Sequence, residues 1–274
     1  MYHTRWRSFL CLIVGLFVGA WSGRAAETAS IVVAVQVRGK VEVQHGAAGA
    51  TEVVKDGQQL AVTDVLTTAQ GSSVVLVMEN GSVVSLRENS RLKITAALQS
   101  VPAGEAPVAK GAEPQESGAS NSKFELEFGE MLARVRKLNP SSTFEVQTPV
   151  SVAAVRGTVF EVSYRVSQSG PAQYRLSTAS GLVHVTPRGG ELVKVAAGDQ
   201  AEFSARIRGK RVRLQPVKLT KIAQPKHAQL EKEAQDMERN ASELAKRVQA
   251  ANGKGRDGSP AGKKKKAVDP TPKK

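Results

Sequence analysis

From Ile31 to about Phe203 the chain is a succession of short runs rich in Val, Ile, Leu, Thr and Phe, broken by Gly, Asn, Asp or Pro about every 8 to 12 residues. Within the runs, apolar and polar residues alternate. Phe124, Leu126 and Phe128 alternate with Glu125 and Glu127; Leu92 and Ile94 with Arg91 and Lys93; Phe160, Val162, Tyr164 and Val166 with Glu161, Ser163 and Arg165. A period of two gives a strand one buried face and one wet face. In Val74, Val75, Leu76, Val77, Met78 both faces are apolar, so this strand is expected at the centre, between two layers. No convincing helical period interrupts the stretch. The reading is an all-β domain over 31–208, a β-sandwich or short β-roll of many short strands.

Turn chemistry agrees. Glu79-Asn80-Gly81-Ser82 joins two such runs, and an Asn-Gly pair accommodates positive φ at both turn positions, so a hairpin is expected there. Two similar units open and close the domain. Gly39-Lys40-Val41-Glu42-Val43 leads to Gly57-Gln58-Gln59, and Gly181-Leu182-Val183-His184-Val185 leads to Gly198-Asp199-Gln200. Two copies fall short of a solenoid, which needs at least three stacked repeats. Between the halves, residues 99–122 turn to Ala, Gly, Pro, Glu and Ser without apolar periodicity and read as a flexible insertion.

The N-terminus has another character. Arg5 and Arg7 precede an apolar run from Phe9 to Ala20, long enough for a signal-peptide core and short of the ~20 residues that span a bilayer. Gly23 and Ala25 flank Arg24, which places cleavage after Ala25, with Ser22 as the alternative site; an uncleaved anchor is the competing reading. Residues 1–25 are therefore expected to be a signal peptide and the protein periplasmic or extracellular. Cleavage removes Cys11, Trp6 and Trp21, leaving no thiol and no indole. Such a domain depends on ordinary core burial rather than disulfides.

Charge is unevenly placed. Residues 27–208 carry 18 basic and 18 acidic side chains, whereas 209–274 carry 18 basic and 7 acidic, so the net charge of +14 belongs to the two ends. Residues 209–226, with Lys210, Arg211, Arg213, Lys218 and Lys221, read as a basic connector. A helix is expected over 227–251. Its apolar residues Leu230, Ala234, Met237, Ala241, Leu244 and Val248 form a short heptad seam, which suits an amphipathic helix packed on the β domain or on a partner, or a weak homodimeric coiled coil. Residues 252–274 are mostly Gly, Pro, Asp and Lys and read as a disordered tail. Within the tail, Lys263, Lys264, Lys265 and Lys266 are the candidate contacts to a polyanion.

Motifs of catalysis are missing from the sequence. It has no Gly-x-Ser-x-Gly elbow, glycine-rich phosphate loop or His-Glu-x-x-His, so catalytic, cofactor and metal residues are all expected to be none. His45 and His184 occupy comparable places in the two units and read as surface histidines. Glu125 and Glu127 share one strand face as solvated charges. Asp56, Asp64 and Asn80 read as turn formers. Arg156-Gly157-Thr158 reads as a tight bend entering the strand at Phe160.

Taken in order, these residues resemble a known family. Gly39, Val41 and Val43 alternate; Asp56-Gly57 and Leu60 precede Asp64, Leu66 and Thr68; Leu76 and Met78 lead into Asn80-Gly81-Ser82. Later come Leu126, Phe128 and Gly129, then Phe144, Val146 and Thr148-Pro149, then Arg156-Gly157-Thr158 with Phe160 and Val162, and finally Gly181, Val183 and Val185 before Gly198 and Gln200. The pattern is similar to the FecR-like domain, known from the periplasmic part of bacterial iron-transport sensors. Those sensors carry a cytoplasmic sigma-factor-binding segment and a spanning helix ahead of the β domain. Here only about 30 residues precede it, and the signal peptide uses them. The resemblance therefore implies an exported β domain for contact with an envelope protein or glycan, without the sigma-regulator role. The alternative is binding of an anionic membrane or polysaccharide through the tail. Nucleic acid is the disfavoured partner, because aromatics do not interleave with the basic residues.

Overall fold

The computed structural model describes residues 27–100, 118–167, 170–209 and 211–253. In chain order the first strands are β1 Glu27–Ala29, β2 Val32–Arg38, β3 Val41–Gln44, β4 Thr51–Val53, β5 Gln59–Leu60, β6 Val65–Thr68, β7 Ser73–Met78, β8 Val83–Leu86 and β9 Ser90–Ser100. After them come β10 Ser120–Val135, β11 Thr143–Thr148, β12 Ser151–Val155, β13 Thr158–Arg165, β14 Ala172–Ser180, β15 Leu182–Pro187, β16 Val193–Ala196, β17 Asp199–Arg208, β18 Arg211–Leu214 and β19 Lys218–Lys221. One helix, α1, spans Gln224–Gly253.

The strands lie in two facing sheets. One, here called the polar sheet, runs β4-β3-β6-β9-β10-β11-β12-β15-β16, with β1 on the far end of β9. The other, the capped sheet, runs β5-β2-β7-β8-β10-β13-β14-β17, and β18 and β19 share the outer edge of β17. Strand β10 belongs to both, so the ladders close on themselves as a flattened barrel. Its first half pairs with β9 and β11; from Gly129 onward it pairs with β8 and β13. The pairing of β10 with β11 is parallel, the rest antiparallel.

Alternation decides which side chains meet between the sheets. Leu66, Leu76, Leu86, Leu92, Ile94, Phe124, Leu126, Phe144, Phe160 and Leu176 are essentially inaccessible there, with Phe124 and Phe144 ring centroids 5.5 Å apart. The centrality expected of β7 is observed. Val74, Leu76 and Met78 enter the inter-sheet core, while Val75 and Val77 form a second cluster with Val33, Val35, Val83, Leu132, Val159 and Ala179 on the outside of the capped sheet. Helix α1 closes that cluster with Leu230, Ala234 and Met237, the first half of the heptad seam. These seam positions are thus spent on the chain's own sheet rather than on a coiled coil. The side chains of Ala241, Leu244 and Val248 lie outside the described residues.

The two sequence units are structural equivalents. In each, a capped-sheet strand (β2 or β14) turns at Gly39 or Gly181 into a polar-sheet hairpin (β3-β4 or β15-β16). The chain then returns at Gly57 or Gly198 to pair with the strand it left. The hydrogen bonds Gly57 N to Ala34 O and Gly198 N to Thr178 O, both 2.8 Å, mark the two returns.

Three expectations are amended. The β7-β8 hairpin forms, but only Gly81 takes positive φ (78°), because Asn80 instead accepts a 2.9 Å bond from Ser82 N through Oδ1. The insertion is narrower than 99–122, because β9 continues to Ser100 and β10 starts at Ser120, and a ladder needs only backbone groups, which polar residues supply equally well. Residues 101–117 lie outside the described ones. Within 209–226 the β structure continues through β18 and β19, so the edge of the capped sheet extends past Arg208.

Candidate interaction surfaces

The two outer faces differ. On the polar sheet no element among the described residues covers the outside, and ion pairs run across the strands. Arg91 Nε lies 2.8 Å from Glu127, its Nη1 3.2 Å from Thr67 Oγ1 and its Nη2 3.3 Å from Gln44; Lys123 Nζ is 3.1 Å from Glu145. Glu127 thus sits on the solvated face expected of it. His184 stands on the same side, between Ala154 and Lys194 in register and half-buried. These pairs link β3, β6, β9, β10 and β11 across a broad face.

Helix α1 covers the outside of the capped sheet, and sequence alternation mistook that face for a wet one. Glu161 is 4% exposed and Ser163 7%. A buried carboxylate needs compensating cations. Glu161 has two, Lys226 Nζ at 2.8 Å and Arg87 Nη2 at 3.2 Å. Arg87 in turn reaches Glu233 at 3.0 Å and Glu130 at 3.1 Å, and Arg134 Nε meets Glu238 at 2.6 Å. Lys226, Glu233 and Glu238 belong to α1 and their partners to β13, to the residue after β8 and to β10, so three ion pairs set the helix on its apolar bed. His227 Nε2, 2.8 Å from Ala179 O, donates to that carbonyl and adds a further tie. Beside α1 a groove of about 810 Å³ opens between the helix and the β2-β7 end of the sheet. Gln36, Arg38, Ser73, Arg87, Lys232 and Asp236 are among its lining residues.

The turn residues behave as read. Asp56 Oδ1 accepts from Val37 N at 2.7 Å and Asp64 Oδ2 from Ala61 N at 2.8 Å. Gly157 (φ 75°) turns β12 into β13, a Cβ there would come within 3.1 Å of Lys137 Cα, and Thr158 is buried with its hydroxyl on Leu182 O. Arg156-Gly157-Thr158 is a bend. His45 is richer than a surface histidine. Its Nδ1 lies 2.9 Å from the buried Asp64 carboxylate and its Nε2 3.2 Å from Glu52. The hydrogen bond to Asp64, followed by that to Glu52, raises the His45 pKa above its ordinary 6.5. No group of three or more His, Cys, Asp or Glu placed to hold a metal occurs among the described residues. Lys263, Lys264, Lys265 and Lys266 lie outside them.

The geometry is that of a two-sheet β domain with one outer face covered by its own helix and, among the described residues, no element over the other. The FecR protein family matches residues 64–203, half of the chain, and the chain belongs to that family. Two crystal structures of a candidate anti-sigma factor from Parabacteroides distasonis are similar to it, each at 16% identity, a TM-score of 0.37, and 55% of this chain aligned with 58% of theirs. The chain thus spans under two thirds of that protein. No curated protein matches. Among the described residues no helix is long and apolar enough to cross a membrane.

Proposed function

We propose that the chain is a non-catalytic, exported envelope module whose FecR domain meets a protein or glycan partner through the outer face of the polar sheet, in the periplasm or outside the cell. The observation that carries this reading is the asymmetry of the two outer faces. One is occupied by α1 and its ion pairs, while the other presents Arg91, Glu127, Lys123 and Glu145 in cross-strand ion pairs without a covering element among the described residues. The signal-like segment before Ala26 supports export. Chemical cross-linking in intact cells tests the reading. The expected adduct joins the protein to an envelope protein or glycan, in a mature form that starts near Ala26 and lacks Cys and Trp. Adducts only to cytoplasmic proteins, from a form that keeps Met1, would overturn it.

A second reading places function in contact with an anionic surface through the tail. The excess of 18 basic over 7 acidic residues after position 209, with Lys263 to Lys266 at its densest, favours it.

A further inference from the structure

At the edge of the capped sheet, β17 and β18 form a hairpin whose register sets Arg206 opposite Arg213 and Arg208 opposite Arg211. Along β17, Ala201, Phe203 and Ala205 are buried in the core, so Arg206 and Arg208 take the outer face and their cross-strand partners take it with them. All four arginines are exposed, and among the described residues none has an acidic partner. Like charges directly opposite each other weaken a rung of the ladder. Two rungs of this kind, one on either side of the Ile207–Val212 pair, do nothing for the hairpin itself, which points to something outside it.

The surroundings narrow the choice. Guanidinium groups present planar forks that match phosphate oxygens in pairs, which lysine does not. The same face continues inward to a depression of about 740 Å³ lined by Arg165, Arg175 and Lys218, where Glu202 is the one carboxylate. Past Ala205, the last residue of β17 paired with β14, the hairpin projects from the sheet, and there Ile207, in register with Val212 on the face opposite the arginines, is 43% exposed. A polyanion in solution has no use for that apolar side chain. A bilayer does, because its phosphates lie beside an apolar interior.

We propose that this arginine hairpin docks on a bilayer surface bearing anionic phospholipid headgroups. The proposal takes its class of partner from the anionic-surface reading but places the contact on the β body, at the projecting end of the hairpin, which meets the bilayer end-on with the Arg208 and Arg211 guanidinium groups on headgroup phosphates on one side and Ile207 at the interface on the other.

Co-sedimentation of the mature form that starts near Ala26 with phosphatidylcholine vesicles, with and without phosphatidylglycerol, tests it. Binding is expected only with phosphatidylglycerol, and it should fade as salt is raised. Each basic residue near an anionic leaflet strengthens partitioning about fivefold, so Arg208→Gln/Arg211→Gln is expected to weaken binding about 25-fold. Its thermal unfolding should be unchanged or raised, since a repulsive rung is gone. Ile207→Ser should weaken binding as well, while replacement of Lys263 to Lys266 by Gln should leave most of it. Arginine variants that bind as tightly as the parent would overturn the proposal. If only the tail variant lost binding, the hairpin would be excluded and the tail reading would stand. Displacement from the vesicles by equimolar duplex DNA would assign the face to nucleic acid instead.

Discussion

A Cβ built on Gly129 lies 2.4 Å from the Cα of Ser90, on a backbone whose φ is 104°. The contact falls where β10 leaves the polar sheet for the capped one, and Ser90 Oγ accepts the Glu130 N–H at 2.9 Å on the same spot. No side chain fits between two backbones at that spacing. Gly129→Ala should therefore cost about 3 kcal/mol or more, through strain and a displaced Ser90. Urea denaturation reads this directly, and a midpoint equal to that of the parent would show that the crossing is slack.

The ion-pair cluster beneath α1 makes a different kind of prediction. Arg87→Met leaves Glu161 with Lys226 alone and should destabilise by about 3 kcal/mol, the size associated with an undercompensated buried charge. Arg87→Met/Glu161→Leu removes the stranded carboxylate too, and Lys226, 38% exposed, can turn to water. Most of the loss should return in the double variant. Thermal melts in which single and double variants unfold together would show that the apolar contacts of Leu230, Ala234 and Met237 alone seat the helix.

His45 gives a pH dependence of defined sign. Hydrogen bonds to Asp64 and then Glu52 raise its pKa, so its stabilising contribution is full below 6.5 and is lost as pH rises through the raised value. Glu52 is lowered from 4.5 chiefly by the bond to His45, so its contribution is present above 4.5 and falls away in acid. The pair is strongest between these limits. His45→Gln should lower Tm more at about pH 5.5 than at about pH 8.5. Equal losses at both would place the bonds in the neutral form.

Thr63 sits one residue before Asp64 with φ of 80°, a left-handed conformation that a β-branched side chain strongly resists. Asn tolerates it far better. Thr63→Asn is expected to stabilise the protein by about 1 kcal/mol, read as a higher denaturation midpoint. A lower midpoint would mean that the Thr63 side chain has a partner that outweighs the strain.

Much of this architecture was legible. Alternation at Phe124 and Leu126 located β10, the doubly apolar run at Val75 and Val77 announced a layer on each side of β7, and the paired glycines Gly39/Gly57 and Gly181/Gly198 marked the two crossing units. The charged cluster was not legible. Glu161 alternates with Phe160 and Val162 as a solvated residue would, and a period of two distinguishes the two faces of a strand without saying whether a helix from the end of the chain covers one. Nor does it give register. The opposition of Arg206 to Arg213 depends on the β17-β18 turn at Gly209, where a slip of one residue would have put the arginines on different faces. His45, Asp64 and Glu52 are separated in sequence and meet only because β3 pairs with both β4 and β6.

The central claim is that the open face of the polar sheet is where a partner is met. A photoreactive residue placed at Lys93, on the outer side of β9, and separately at Gln235, on the exposed side of α1, tests it in intact cells. The expected result is a discrete adduct with an envelope component from position 93 and little or none from position 235. An adduct from position 235 alone, with the protein exported and folded in both cases, would contradict the account and move the contact to the helix.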